Sequence, residues 1–133
     1  MKKFYFFLVV FFVSLIVQGQ VSQLTDALIL GGRIKAHAKN ANCLLVANEG
    51  GIFKTTDQGQ NWANVTQTFN PNSVSCNQVV SIGSDFYAMS NSSTGSGIYK
   101  SGNDGESWSQ LTFSSLSVWS IGKLSNYLYC YCY

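Results

Sequence analysis

Gly51-Ile52-Phe53-Lys54-Thr55-Thr56-Asp57-Gln58-Gly59-Gln60-Asn61-Trp62 aligns without gaps on Gly97-Ile98-Tyr99-Lys100-Ser101-Gly102-Asn103-Asp104-Gly105-Glu106-Ser107-Trp108, 46 positions further on. Each copy opens with an apolar, β-favouring run, passes through Gly, Asn and Asp, and closes on tryptophan. That order predicts a strand, a tight turn and a returning strand. The echo extends beyond the twelve aligned positions. Ser109-Gln110-Leu111-Thr112 follows Trp108 directly, its tetrapeptide also stands at Ser22-Gln23-Leu24-Thr25, and Asn64-Val65-Thr66 occupies the equivalent place after Trp62. Upstream of each glycine-rich turn lies an apolar run, Leu44 to Ala47, Phe86 to Met89 and Tyr127 to Cys130. These follow Ile34, Val80-Ser81-Ile82-Gly83 and Trp119-Ser120-Ile121-Gly122 in turn.

Working outward, the middle repeat reads as four strands, about Val79 to Ile82, Phe86 to Ser90, Gly97 to Lys100 and Trp108 to Thr112. The breaks are Gly83-Ser84-Asp85, the stretch Asn91 to Ser96, and Asn103-Asp104-Gly105. No window after the N-terminal segment sustains apolar residues at i, i+3, i+4 and i+7, so a helical reading fails. Four strands in a unit of about 40 to 50 residues is the period of a β-propeller blade. The expected fold is therefore all-β, about two and a half four-stranded antiparallel blades of an incomplete propeller over residues 20–133.

The turn itself carries a family mark. Thr55-x-Asp57-x-Gly59-x-Asn61-Trp62 resembles the Asp-box, or BNR repeat, whose pattern is Ser/Thr-x-Asp-x-Gly-x-Thr-Trp. Ser101 to Trp108 follows the same pattern, with Asn103 at the Asp position, Asp104 beside it, then Gly105 and Trp108, and is the weaker match. The spacing has a physical logic. A short acid or amide accepts backbone N–H bonds across the turn, glycine takes positive φ, and tryptophan closes an apolar lid. The resemblance implies kinship with sialidases, xyloglucanase-type glycoside hydrolases, sortilin-like receptor ectodomains and photosystem II assembly-factor-like secreted proteins. It also implies that Thr55, Asp57, Gly59, Trp62, Ser101, Asn103, Asp104, Gly105 and Trp108 shape loops at a blade's periphery and do no chemistry.

Residues 1–19 read as an export signal. Lys2 and Lys3 form a positive n-region, Phe4 to Val17 an apolar core interrupted only by Ser14, and Val17-Gln18-Gly19 the cleavage positions. At ~1.5 Å rise per residue that core reaches roughly 21 Å, short of the ~30 Å hydrocarbon layer. No stable membrane span is expected after cleavage, and the chain is expected to be secreted, periplasmic or at the cell surface. With Lys2 and Lys3 set aside, six of the eight basic residues face six acidic ones, a balance that argues against nucleic acid as partner. In an oxidising compartment Cys43, Cys76, Cys130 and Cys132 allow two disulfides in three pairings. Cys130 and Cys132, two apart in a strand, share a face and are poorly placed to bond each other. Buried thiols with at most one bridge are the alternative to a zinc site, for which no C-x-x-C exists and His37 is the sole histidine.

The residue inventory speaks against catalysis. A sialidase-like site needs clustered arginines to clamp a carboxylate, and Arg33 in Gly32-Arg33-Ile34 stands alone. A glycosidase needs two facing carboxylates. Outside the two Asp-boxes only Asp26, Glu49 and Asp85 remain, the last two in turns of different repeats. His37, on an alternating strand Ile34 to Ala38, reads as packed or exposed. Asn64-Val65-Thr66 and Asn91-Ser92-Ser93 match the glycosylation sequon. The long stretch Gln67 to Asn77, with Phe69, Asn70, Pro71 and Asn72, and the polar stretch Asn91 to Gly97 read as exposed connections suited to binding. The expectation is a non-enzymatic binding or scaffold module for a protein or glycan ligand, with no cofactor and no metal. The alternative is the N-terminal fragment of a secreted sialidase-like or xyloglucanase-like hydrolase.

Length sets the last expectation. Residues 20–133 hold about two and a half repeats, whereas propellers close with roughly four to eight. The chain is thus expected to be an N-terminal piece of a longer propeller, or a short protein that pairs its exposed edge strands with another copy.

Overall fold

The computed structural model describes residues 32–69, 75–90, 96–111 and 118–132. The expectations for residues 1–19, Asp26, Pro71 and the sequon at Asn91 lie outside them. The described chain is all-β and antiparallel. The first sheet orders β1 (Ala36–Lys39), β2 (Leu44–Asn48), β3 (Gly51–Thr55) and β4 (Ala63–Asn64) as consecutive neighbours. A one-turn helix α1 (Thr66–Phe69) follows. The second sheet repeats the pattern with β5 (Gln78–Ile82), β6 (Asp85–Ser90), β7 (Gly97–Ser101) and β8 (Ser109–Leu111). A two-stranded sheet of β9 (Val118–Leu124) and β10 (Tyr127–Cys132) completes the described order.

Side-chain alternation explains how the sheets stack. Ala38, Leu45, Ala47 and Ile52 on one face of the first sheet pack against Val79, Phe86, Ala88 and Tyr99 of the second. The opposite face of the second sheet, Met89 and Ile98 with Val80, Tyr87 and Leu111, packs against Ile121, Val118 and Leu128 of the hairpin. The middle sheet is therefore covered on both sides. Burying one large apolar side chain such as Phe86, fully excluded from solvent, contributes roughly 1.5–3 kcal/mol.

The first strands of the three sheets lie side by side, β1 against β5 and β5 against β9. Polar bonds tie this seam. Ser81 Oγ donates to the Lys39 carbonyl at 2.7 Å, Lys123 Nζ donates to the Ser81 carbonyl at 2.8 Å, and Ile121 N–H donates to Gln78 Oε1 at 2.6 Å. The β2–β3 hairpin shows why one glycine is required. At Gly51 φ is +122° and an added Cβ would sit 1.8 Å from Thr66 Oγ1, which itself accepts Ile52 N–H at 3.0 Å.

Several sequence expectations need correction. Asp85 does not sit in a turn but opens β6, opposite Ile82, because its carboxylate pairs with Lys100 on β7 at 2.8 Å. The stretch from Gln67 is not wholly an exposed connection. Its first residues close the α1 turn, and Phe69, 2% exposed, is core, packed edge-on to Tyr99 at 4.6 Å and Trp108 at 5.4 Å. Ile34 lies before β1 and is exposed.

Candidate functional site

The two tryptophan-terminated turns join the third and fourth strands of successive sheets, and their inner hydrogen bonds repeat one for one. In the first, Gly59 N–H donates to Thr55 Oγ1 at 2.9 Å, and the Thr55 hydroxyl donates to Asp57 Oδ1 at 2.8 Å. Asn61 N–H donates to the same Oδ1 at 2.9 Å, and Asn61 Nδ2 donates to Asp57 Oδ2 at 2.6 Å. Trp62 folds back, its Nε1–H donating to the Gly59 carbonyl at 3.1 Å, with the ring lying over that glycine. In the second, Gly105 N–H donates to Ser101 Oγ at 2.9 Å, Ser101 Oγ to Asn103 Oδ1 at 3.0 Å and Ser107 N–H to Asn103 Oδ1 at 3.0 Å. Trp108 Nε1–H donates to the Gly105 carbonyl at 3.2 Å.

Asn103 therefore takes the acceptor place that Asp57 holds in the first turn. An amide oxygen suffices where the acceptor faces N–H and O–H donors. Donor and acceptor are merely exchanged in the outer bond, where Asn103 Nδ2 now donates to Ser107 Oγ at 2.9 Å. The hydroxyl of Thr55 or Ser101 is the hub of each turn. Both turns carry positive φ at the glycine, +90° at Gly59 and +82° at Gly105, and also at the residue before it, +60° at Gln58 and +57° at Asp104. The bonds from Asn61 and Thr55 hold the Asp57 carboxyl down at about 2, far from the range of a general acid near neutrality.

The two turns differ in what they touch. Asp104 reaches the first sheet, accepting from Asn40 Nδ2 at 2.6 Å and from Asn42 Nδ2 at 2.8 Å, and these bonds lower its pKa. Thr68 Oγ1 donates to the Gly105 carbonyl at 3.0 Å, Glu106 pairs with Lys54, and Gly105 lies against the Leu45 side chain. The second turn is a wedge between sheets. Nothing in the sequence distinguished Asp104 from Gln58 except its acid, and the repeat assigned both the same peripheral place.

Every described carboxylate is thereby engaged. Asp57 serves its own turn, Asp85 pairs with Lys100, Asp104 with two asparagines and Glu106 with Lys54, while Glu49 lies 4.0 Å from Lys35. No two of them face each other across an open space. Arg33, ahead of β1, and His37, on β1, are both exposed. All four thiols are free. Cys76 is sealed from solvent, and burial pushes its pKa up to about 12; burial likewise raises Cys43, with Asp104 adding to the effect. Neither is a thiolate near neutrality, so neither is an activated nucleophile. Cys132 Sγ stands 3.7 Å from Cys130 Sγ, opposite the place where Trp119 bulges out of β9 and the β9–β10 register shifts. Among the described residues no group of three His, Cys, Asp or Glu side chains could hold a metal ion, and no helix is long and apolar enough to cross a membrane.

Two open depressions among the described residues bear on the site. One, of about 540 Å³, runs beside the first turn between Asn42, Cys43, Thr55 and Gln58. The other, of about 250 Å³, lies at the seam of β1, β5 and β9, bordered by His37, Lys39, Ser81 and Lys123. Neither gathers an acid and a base. No family model, curated protein or solved structure matches this chain.

Proposed function

We propose that the chain is an exported, non-enzymatic binding or scaffold module of the Asp-box propeller kind, its sheets being successive blades and its ligand a protein or a glycan. One observation carries the reading. Two identically built turns recur at the same place in consecutive four-stranded sheets that stack in chain order, with their first strands adjacent along one seam. Adjacent first strands are what sheets radiating from a common axis require. The turn residues support a structural and not a chemical role, because each polar atom of Thr55, Asp57, Ser101 and Asn103 is spent on its own turn. Export rests on Lys2, Lys3 and the apolar run Phe4 to Val17.

The test is a panel of immobilised glycans and sialosides, read both for retention and for hydrolysis by the purified chain. Retention without turnover is the expected result. Release of sialic acid or of xyloglucan oligosaccharides would overturn the non-enzymatic reading in favour of a hydrolase. An experimental structure that merges the Trp62 and Trp108 turns into one continuous sandwich would overturn the blade assignment.

A further inference from the structure

We infer that the depression at the seam of β1, β5 and β9 is a binding site for a sulfate or phosphate group carried on a sugar; the inference rests on the glycan limb of the proposed function and names the chemistry of that ligand. The site is built on the first strands of three successive sheets. His37 and Lys39 come from β1, Val79, Val80 and Ser81 from β5, and Lys123 from β9. On β1 the side chains alternate, Ala36 and Ala38 toward the core, His37 and Lys39 outward and exposed. Lys123 is held from the other side. Its Nζ donates to the Ser81 carbonyl at 2.8 Å, and Ser81 Oγ in turn donates to the Lys39 carbonyl at 2.7 Å. One bond leaves the ammonium two further N–H donors.

The charge inventory singles out this place. Of the six basic residues beyond residue 19, Lys35, Lys54 and Lys100 each lie beside a carboxylate, while Arg33, Lys39 and Lys123 have none beside them among the described residues. Two of those three line one depression, with His37 alongside. The described carboxylates are all engaged elsewhere, so none of them neutralises the pair. Two ammonium groups brought to one concavity repel each other, and a bound anion turns that repulsion into attraction. The larger depression shares Lys39 but is lined by no second cation.

The kind of cation selects the kind of anion. A planar carboxylate is gripped best by the fork of an arginine, whereas a lysine ammonium is a compact point charge with rotatable donors. No arginine lines the depression. Donors converging from separate strands suit the spread oxygens of a tetrahedral sulfate or phosphate. At about 250 Å³ the space falls below the ~300–1,000 Å³ of a site that encloses a whole ligand. It therefore takes one charged group and the sugar ring that bears it, with the rest of the glycan outside.

The test is a titration of the isotope-labelled full chain, followed by backbone amide NMR shifts. The probes are a sulfated glucose, a phosphorylated glucose, glucuronate, plain glucose, inorganic phosphate and a glutamate peptide. Saturating shifts over 37–39, 79–81 and at Lys123 are expected with the sulfated or the phosphorylated sugar, the tighter of the two naming the source, and none with glucose. Lys39→Gln and Lys123→Gln are each expected to weaken binding about threefold and together about tenfold. Arg33→Gln removes the same charge outside the depression and is expected to leave binding unchanged. Should Lys123→Gln disturb the seam, Lys39→Gln still decides, because the Lys39 side chain makes no hydrogen bond or ion pair among the described residues. Absence of shifts at these residues, equal binding of plain glucose, tighter binding of glucuronate or of the peptide, inorganic phosphate binding as tightly as the sugars, or equal weakening by Arg33→Gln would each overturn it. Retention of neutral glycans on the panel with no response here would sink this site and leave the proposed function standing, so the two failures are distinguishable.

Discussion

The turn ending at Trp62 and the turn ending at Trp108 share one hydrogen-bond diagram, yet only the second ties one sheet to the next. Asp57 and Asn103 accept the same backbone N–H with the same Oδ1. The turn thus needs an acceptor of the right reach, and the charge is incidental to it. At the next position the difference is decisive. Gln58 is exposed, whereas Asp104 bridges to Asn40 and Asn42 on the neighbouring sheet. One local structure serves as a self-contained loop in one place and as a clamp in the other.

Four tests would break or sharpen this comparison. The largest effect is expected from Phe69→Ala, which empties the ring site between Tyr99 and Trp108 that joins the second turn to the core. A loss of about 3–5 kcal/mol is expected in a denaturant titration. A loss below ~1 kcal/mol would mean that the ring is not core. Ser101→Ala comes next. Its hydroxyl is buried and accepts Gly105 N–H, so its removal strands a buried donor and is expected to cost about 1–3 kcal/mol.

The third test sets Asp104→Ala against Gln58→Ala. Removing Asp104 deletes two charge-assisted bonds at a half-exposed site and is expected to cost about 1 kcal/mol, while Gln58→Ala should fall within ~0.5 kcal/mol of zero. Equal effects in the two would contradict the clamp.

The smallest effect is expected from Asp57→Asn, since Asn103 already shows that an amide builds the turn. Here the readout is pH. The folded-state pKa of Asp57, about 2, lies below its ordinary 3.8. Ionised Asp57 therefore stabilises the fold fully above pH ~4, and that contribution is lost as pH falls toward 2. The variant is expected to match the parent at pH 7 and to lose less stability between pH ~4 and ~2. An acid limb identical in both would show that the Asp57 bonds do not discriminate the charged form.

Much of the fold was legible in the chain. The offset of the two tryptophan turns, the apolar runs before them and the absence of helical periodicity predicted four short strands per repeat, and β5 to β8 fall within a residue or two of where the pattern put them, Asp85 included. Asp85 was placed one residue outside its strand because nothing local announces its cross-strand pairing with Lys100. Phe69 was mistaken for a loop residue because its neighbours Asn70, Pro71 and Asn72 are turn formers, and a single helical turn has too few residues to show a period.

By itself the sequence determined what is local. Strand alternation, the hub hydroxyl, the acceptor two residues on and the glycine after it are set by residues within a dozen positions, where steric and hydrogen-bond rules act directly. Only the tertiary structure decided which turn is a clamp, which carboxylates are occupied and which cations are left without one. Those outcomes depend on what another sheet brings into reach, such as Asn40 and Asn42, more than sixty positions from Asp104, and packing between distant segments leaves no mark on the residues of either one alone.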